Sequence, residues 1–120
     1  MGPVEMMVVM EELGRGIVLE PIAQSFIASA VLSHYAPAEV QSAWLPRVAS
    51  GEAVVVLAHQ ERKARYRLDQ CSATAAQAGG AWTVSGTKSL VPVGDQADAY
   101  LVPAVTHGKT ALFLVERSAQ

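Results

Sequence analysis

Apolar side chains in the first 50 positions of the chain recur every three or four residues, a spacing that predicts helices. The first predicted helix covers about residues 4–13. It is apolar on most sides, so it is expected to be buried between neighbours. A second helix is predicted from Pro21 to the break at Tyr35-Ala36-Pro37. A third is predicted from Pro37 to Ser50, with a kink or restart at Pro46 because proline lacks an N–H.

After Gly51 the apolar pattern changes to a period of two, which predicts β-strands. Gly79-Gly80 and His107-Gly108-Lys109 separate consecutive strands and indicate hairpin turns. The pattern therefore predicts an α+β fold, in which about three N-terminal helices precede an antiparallel β-sheet or open β-barrel. The expected division is a helical part over residues 1–52, which the family resemblance described below implies is a partial helical domain, and a β-domain over 53–120. The predicted strands cover residues 53–59, 70–78, 81–88, 98–105 and 110–115.

Composition narrows the possible classes of protein. The 120 residues are 51% hydrophobic and 17% charged, which excludes a disordered chain, and the net charge of -2 argues against nucleic acid as a partner. No stretch reaches the roughly 20 apolar residues that span a bilayer, and the acidic N-terminus is unlike a secretory signal. Cys71 is the single cysteine and cannot form an internal disulfide, so a reducing, cytoplasmic setting is expected.

The predicted first strand ends abruptly in the polar stretch VLAHQERKARYR, residues 56–67. This stretch is either a solvated loop or part of a ligand site, because arginine side chains pair well with phosphate groups. Other polar candidates have simpler interpretations. Glu11 and Glu12 are expected at the surface, and one cysteine with scattered histidines offers no zinc-ligand spacing. Cys71 is expected as a small buried apolar residue, and Trp44 and Trp82 as core anchors.

Several stretches together resemble the acyl-CoA dehydrogenase family. These are VVMEELGRG, AWLPRVASGEAVVVLAHQE, AWTVSGTKSLVPVGDQADAYLV and LFLVE, whose order and spacing cover residues 4–116. The HQERKARY variant is similar to two-subunit members acting on dicarboxylic acyl-CoAs, the pimeloyl-CoA dehydrogenase small-subunit type. The resemblance implies α,β-dehydrogenation of an acyl-CoA thioester with FAD as cofactor. It also implies an electron-transfer flavoprotein as acceptor and a homo- or hetero-oligomer, with neither nucleic acid nor membrane as partner.

The resemblance further implies which residues form the site. Two segments would face the flavin, and the loop after the first would contact the substrate. Leu90 stands where the family usually has an aromatic residue, and Pro92 replaces a threonine, so both departures put the tuning of the flavin in doubt. The implied cofactor-binding residues are Leu57, Ala58, His59, Gln60, Leu90, Val91 and Pro92, and the implied substrate-binding residues are Arg65 and Tyr66.

No catalytic residue is expected in this chain. The family's C-terminal helical bundle carries its catalytic glutamate and has no counterpart here, so the resemblance implies a fragment or truncated product that is inactive and colourless alone. Two alternatives remain open. One is a non-catalytic interaction or structural module that retains the β-domain fold. The other is a nucleotide-binding module that uses the arginine loop without a glycine-rich phosphate cradle.

Overall fold

A computed structural model describes residues 2–119, and three helices occupy its first half. They are α1 (Pro3–Arg15), α2 (Ile22–Tyr35) and α3 (Ala38–Ser50). Helix α1 begins at a proline in the first turn, and the Glu5 carboxylate accepts a hydrogen bond from the Gly2 amide at 2.7 Å. Helix α3 ends at Gly51, whose φ of 80° is a left-handed conformation that favours glycine. The three helices thus begin and end within a few residues of the predicted positions.

The prediction that helix α1 is buried between neighbours is wrong, because none of its residues is buried. The side chains of Val4, Met7 and Val8 are 65%, 64% and 52% exposed. A periodic pattern identifies an apolar face but not what covers it, and no other described element of residues 2–119 covers this one. Arg15 lies on the polar side of α1 and pairs with both Glu11 and Glu12 at 2.7 Å, so these two carboxylates are at the surface as expected.

Helix α3 continues through Pro46 without a restart. Its buried anchor is Trp44, which is 6% exposed as predicted. The Arg47 guanidinium lies 4.7 Å from the centre of the Trp44 ring, so the next turn of the helix covers the ring with a cation–π contact. Trp82 differs from the prediction because it is 44% exposed, and its ring packs at an angle against that of Phe113 with a centroid distance of 5.1 Å.

Five strands follow the helices and form one open sheet around β4. One edge of β4 pairs along its whole length with β5, while its other edge pairs first with β1 and then with β2. Strand β3 pairs with β2 at the far end of the sheet. The strands are β1 (Val55–Leu57), β2 (Thr74–Ala78), β3 (Ala81–Ser85), β4 (Ala99–Thr106) and β5 (Lys109–Glu116).

The predicted α+β class is confirmed, with three helices preceding a sheet that does not close. The sheet is mixed rather than purely antiparallel. The two hairpins, β2–β3 and β4–β5, are antiparallel, whereas β1 and β2 both run parallel to β4. Hairpin turns can be identified from local sequence, but the direction in which distant strands pair cannot.

The core lies where α2 packs against β1 and the start of β4. Ala28 and Leu32 of α2 meet Val55 and Leu101, and all four side chains are at most 3% exposed. Small residues on α2 allow the helix to approach the short strand closely, so the end of β1 is held in place from one side. A second, smaller cluster joins β2 to the middle of β4 through Ala73, Ala75 and Ala104.

Within residues 2–119, no helix combines the length and apolar character needed to cross a membrane. The same range contains no group of three or more potential metal ligands.

Candidate functional site

A buried carboxylate lies directly after the end of β1. Glu61 is 5% exposed and, among the described residues, is the one charged or polar residue that is buried as a whole, backbone and side chain together. Its oxygens accept hydrogen bonds from the amides of Ser72 and Ala73 at 2.7 and 3.0 Å. Lys88 Nζ lies 2.6 Å from Glu61 Oε1, and the Lys88 side chain is only 8% exposed. Glu61 therefore ties three separate segments of the chain together.

The charge of Glu61 is fully compensated by these contacts. Burial raises the pKa of the carboxyl, but the hydrogen bonds from Lys88 and from the amides of Ala73 and Ser72 outweigh it and lower the pKa from 4.5 to about 2. Glu61 is consequently ionised at neutral pH and forms a charged pair with Lys88. A carboxylate held in this way is a poor proton acceptor, so Glu61 does not suit the role of a catalytic base.

Cys71 packs against the second apolar cluster, in line with the prediction, although it is half-buried rather than buried, and its sulfur also lies at the edge of the buried pair. Its sulfur is 3.2 Å from the carbonyl oxygen of Pro103 and 3.6 Å from both Glu61 Oε1 and Lys88 Nζ. The thiol is half-buried and donates into a polar network.

Neither member of the ion pair was predicted as a site residue. Glu61 follows an apolar strand and Lys88 ends the SGTK stretch, but 27 residues separate them. No spacing rule for helices or hairpins connects residues so far apart. One sequence signal could have pointed to Glu61: it is a charged residue that follows closely after an apolar strand, and a carboxylate in that position can be buried with the strand.

The two segments predicted to bind the cofactor lie side by side. The Ser89 amide donates a hydrogen bond to the Gln60 carbonyl oxygen at 2.8 Å, so the end of β1 is joined to residues 89–92. An open hollow of about 560 Å³ lies at this junction. Four of the predicted residues line it: Gln60, Arg65, Tyr66 and Leu90.

The remaining predicted residues lie elsewhere around the junction. Leu57 packs against the core beneath the helices, and His59 and Pro92 are exposed. Ala58 and Val91 line a separate hollow of about 260 Å³. The predicted set is therefore divided between the open hollow, this smaller hollow, the core and the surface.

The loop after Glu61 is strongly basic and carries its cations at the surface. A tight turn is closed by hydrogen bonds from the amides of Ala64 and Arg65 to the Glu61 carbonyl oxygen. Arg67 binds both oxygens of Asp69, at 3.0 and 2.5 Å, and this contact lowers the pKa of Asp69. The side chains of Arg62, Lys63 and Arg65 make no salt bridge with any carboxylate in residues 2–119.

The chemistry of the groups at the junction suits one edge of a flavin ring. Gln60 presents both a donor and an acceptor, and Ser89 presents a hydroxyl; a ring edge with alternating N–H and C=O groups needs both kinds of partner. Leu90 and Pro92 add no hydrogen-bonding side chain, and Leu90 is 80% exposed. Only part of a flavin could be held by these residues, since the hollow is open on one side.

Comparison with known proteins shows what the chain is similar to. Residues 1–52 match the model of the family described as acyl-CoA dehydrogenase, N-terminal domain. The chain is 30% identical over 115 residues to "Acyl-CoA dehydrogenase FadE27" of Mycobacterium tuberculosis, a match that covers 95% of this chain and 30% of the relative. The chain thus spans about 30% of the length of that curated relative.

Solved structures give the same result for the fold. The Tcur3481-Tcur3483 steroid ACAD variant superposes with a TM-score of 0.82 and 31% identity, covering 92% of this chain and 30% of that one. The ChsE4-ChsE5 complex from Mycobacterium tuberculosis superposes with a TM-score of 0.76 and 29% identity. This match covers 88% of the present chain and 28% of the chain in the complex. A glutaryl-CoA dehydrogenase from Mycobacterium smegmatis, solved in complex with FADH2, superposes with a TM-score of 0.72 and 27% identity. This match covers 76% of the present chain and 24% of the dehydrogenase.

Proposed function

Because the chain belongs to the acyl-CoA dehydrogenase family, we propose that it forms the helical-to-β part of a flavin-dependent oxidoreductase that introduces an α,β double bond into an acyl-CoA thioester. The observation that carries this proposal is the superposition on a steroid ACAD over 92% of the chain, which includes both the helices and the sheet. The proposed cofactor is FAD and the proposed electron acceptor is an electron-transfer flavoprotein. The expected compartment is the cytoplasm.

In this proposal the chain contributes binding and orientation. FAD, when bound, supplies a ring that accepts a hydride from the substrate. Gln60 would hold one edge of that ring with its carboxamide, and the end of β1 would fix the height of Gln60 above the core. Arg65 and Tyr66 would contact the substrate from the other side of the hollow. The proposal assigns the proton-abstracting step to no residue of this chain.

The chain is further proposed to act within an oligomer. One of the similar structures is a complex of two different proteins, ChsE4 and ChsE5. The uncovered apolar face of α1 offers an interaction surface of the kind that a partner subunit would bury. This face also supports the second candidate, a non-catalytic interaction module that retains the fold.

The flavin role is tested by titrating FAD into the assembled enzyme that contains this chain and following flavin fluorescence. Gln60→Ala is expected to weaken FAD binding about fivefold, the effect of losing one hydrogen bond. Arg65→Ala should leave the Kd for FAD unchanged and raise KM for the CoA ester. Gln77→Ala, on the exposed face of β2, is the matched control and should change neither quantity. Unchanged FAD affinity in Gln60→Ala would place the flavin elsewhere.

A further inference from the structure

Two hollows flank the basic loop and share part of their lining. The larger is the open hollow beside Gln60 described above. The smaller has a volume of about 290 Å³ and lies between the loop and the residues that follow β3. Arg62 and Ser89 line both hollows, Lys63 and Thr87 line only the smaller one, and Arg65 lines only the larger one. A ligand that enters the larger hollow could therefore extend one group into the smaller.

The charges around the smaller hollow favour an anion. Its one acidic group, Glu61, is already neutralised by Lys88 at 2.6 Å and by two backbone amides. The neighbouring acidic residue, Asp69, is held by Arg67. Three cations within four positions are left without a carboxylate partner among residues 2–119: Arg62, Lys63 and Arg65. The loop is therefore locally positive in a chain whose net charge is -2.

The kinds of donor present match a phosphate group. A guanidinium fork binds two phosphate oxygens at once, and an ammonium adds a mobile third donor. The hydroxyls of Thr87 and Ser89 donate no hydrogen bond to another residue within the described range, so both are free to donate to a bound anion. On the larger side, Tyr66 and Leu90 are 93% and 80% exposed and offer apolar contact for an organic group.

We propose that the smaller hollow, bounded by Arg62, Lys63, Thr87 and Ser89, binds a phosphate group of the nucleotide part of the substrate while Arg65 and Tyr66 contact the adjoining organic part. The proposal rests on the proposed function, because a CoA thioester is the substrate that brings phosphates and a nucleotide to this face. It assigns charge recognition to Arg62 and Lys63, which no resemblance implicated. Arg67 is excluded from the subsite since Asp69 occupies its guanidinium.

The test is a calorimetric titration of the full 120-residue chain with coenzyme A, with pantetheine, which lacks phosphate, and with inorganic pyrophosphate, all at 50 mM NaCl. The variant Arg62→Gln/Lys63→Gln, which leaves Arg65 and Tyr66 in place, is expected to bind coenzyme A at least tenfold more weakly and pantetheine with unchanged affinity. Arg67→Gln is the matched control from the same loop and should lower coenzyme A affinity less than twofold. All substituted side chains are exposed, so melting temperatures should stay close to that of the unmodified chain.

A second measurement needs no variant. Raising NaCl from 50 to 200 mM should weaken coenzyme A binding to the unmodified chain several-fold, because the contacts are charged and exposed. Equal coenzyme A affinity in the unmodified chain and in the Arg62→Gln/Lys63→Gln variant, or no salt dependence, would overturn the subsite. Binding of pyrophosphate with the same affinity as coenzyme A would also overturn it, because the hollow would then be a site for inorganic anions rather than for the nucleotide part of the substrate. These outcomes involve no flavin, so the FAD titration can fail while the phosphate subsite stands.

Discussion

At the scale of single residues, Glu61 and Lys88 each depend on the other because both lie where water is nearly excluded. Glu61→Gln keeps the shape of the side chain, but its single carboxamide oxygen can accept from only one of the amides of Ser72 and Ala73, which bind different oxygens of Glu61. It also leaves the Lys88 ammonium without a counter-charge. We expect the free energy of unfolding to fall by about 3–5 kcal/mol, measured by urea unfolding. Glu12→Gln removes an exposed partner of Arg15 and should cost less than about 1 kcal/mol. Equal losses in the two variants would contradict the importance of burial.

The same carboxyl predicts an acid-sensitive fold. Its pKa is about 2 in the folded protein against an ordinary value of 4.5, so the unfolded chain binds the proton more readily. The stabilisation is therefore complete above about pH 4.5 and is lost as the pH falls toward 2. Urea midpoints measured from pH 6 to pH 2 should fall through this window in the unmodified chain and fall less in Glu61→Gln. Parallel curves would show that other carboxyls cause the acid sensitivity.

At the scale of elements, the end of β3 passes very close to the segment that precedes β2. A Cβ at Gly86 would lie 2.6 Å from Ala73 Cβ, and Gly86 has a φ of 154°. Gly86→Ala is expected to lower the free energy of unfolding by about 2 kcal/mol or more, because both the overlap and the backbone conformation oppose a side chain. Gly14→Ala is the matched control: nothing lies within 4 Å, and its helical position should gain about 0.5–1 kcal/mol. The measurement is thermal or urea unfolding of both variants, and a neutral Gly86→Ala would contradict the close approach.

The same close approach lies beside the ion pair. Ala73 donates its amide to Glu61, and Lys88 is only two residues beyond Gly86. A shift of β3 away from Ala73 would therefore also move the Lys88 ammonium. Gly86→Ala should for this reason reduce the acid sensitivity assigned to Glu61 as well as the stability.

The elements differ in how far local sequence could predict them. Helix ends and hairpin turns were predictable because proline, glycine and the apolar period act within a few residues, as at Gly51. The lengths of the first three strands were overestimated, in proportion most of all that of β1, which covers three residues where seven were expected, whereas β4 has its predicted length and β5 is longer than predicted. The polar residues after Leu57 leave the sheet to form the site. The Glu61–Lys88 pair could not be predicted from local sequence, because it depends on how β1 and β3 are brought together through the tertiary fold.

At the scale of the whole molecule, two of the apolar surfaces that residues 2–119 leave exposed are suited to association. One is the outer face of α1, and the other is a groove of about 490 Å³ between α2 and the β4–β5 hairpin. We expect the chain to self-associate in sedimentation velocity experiments, with apparent mass rising with concentration. Val4→Gln/Val8→Gln should reduce the association, and Ala49→Gln, at an exposed position of α3, should not. A monomer at every concentration would contradict this expectation.

The parallel pairing of β1 with β4 has a consequence for synthesis on the ribosome. Val54 and Asp98, which join the starts of the two strands, are 44 residues apart in the chain. At about 5–20 residues per second, roughly 2–9 s pass between the emergence of β1 and that of its partner. During this interval the valine-rich strand has helix α2 to pack on but no strand to pair with. Slow or stalled translation between residues 58 and 101 would therefore expose a β-prone segment to other nascent chains, and chaperone binding is expected to concentrate there.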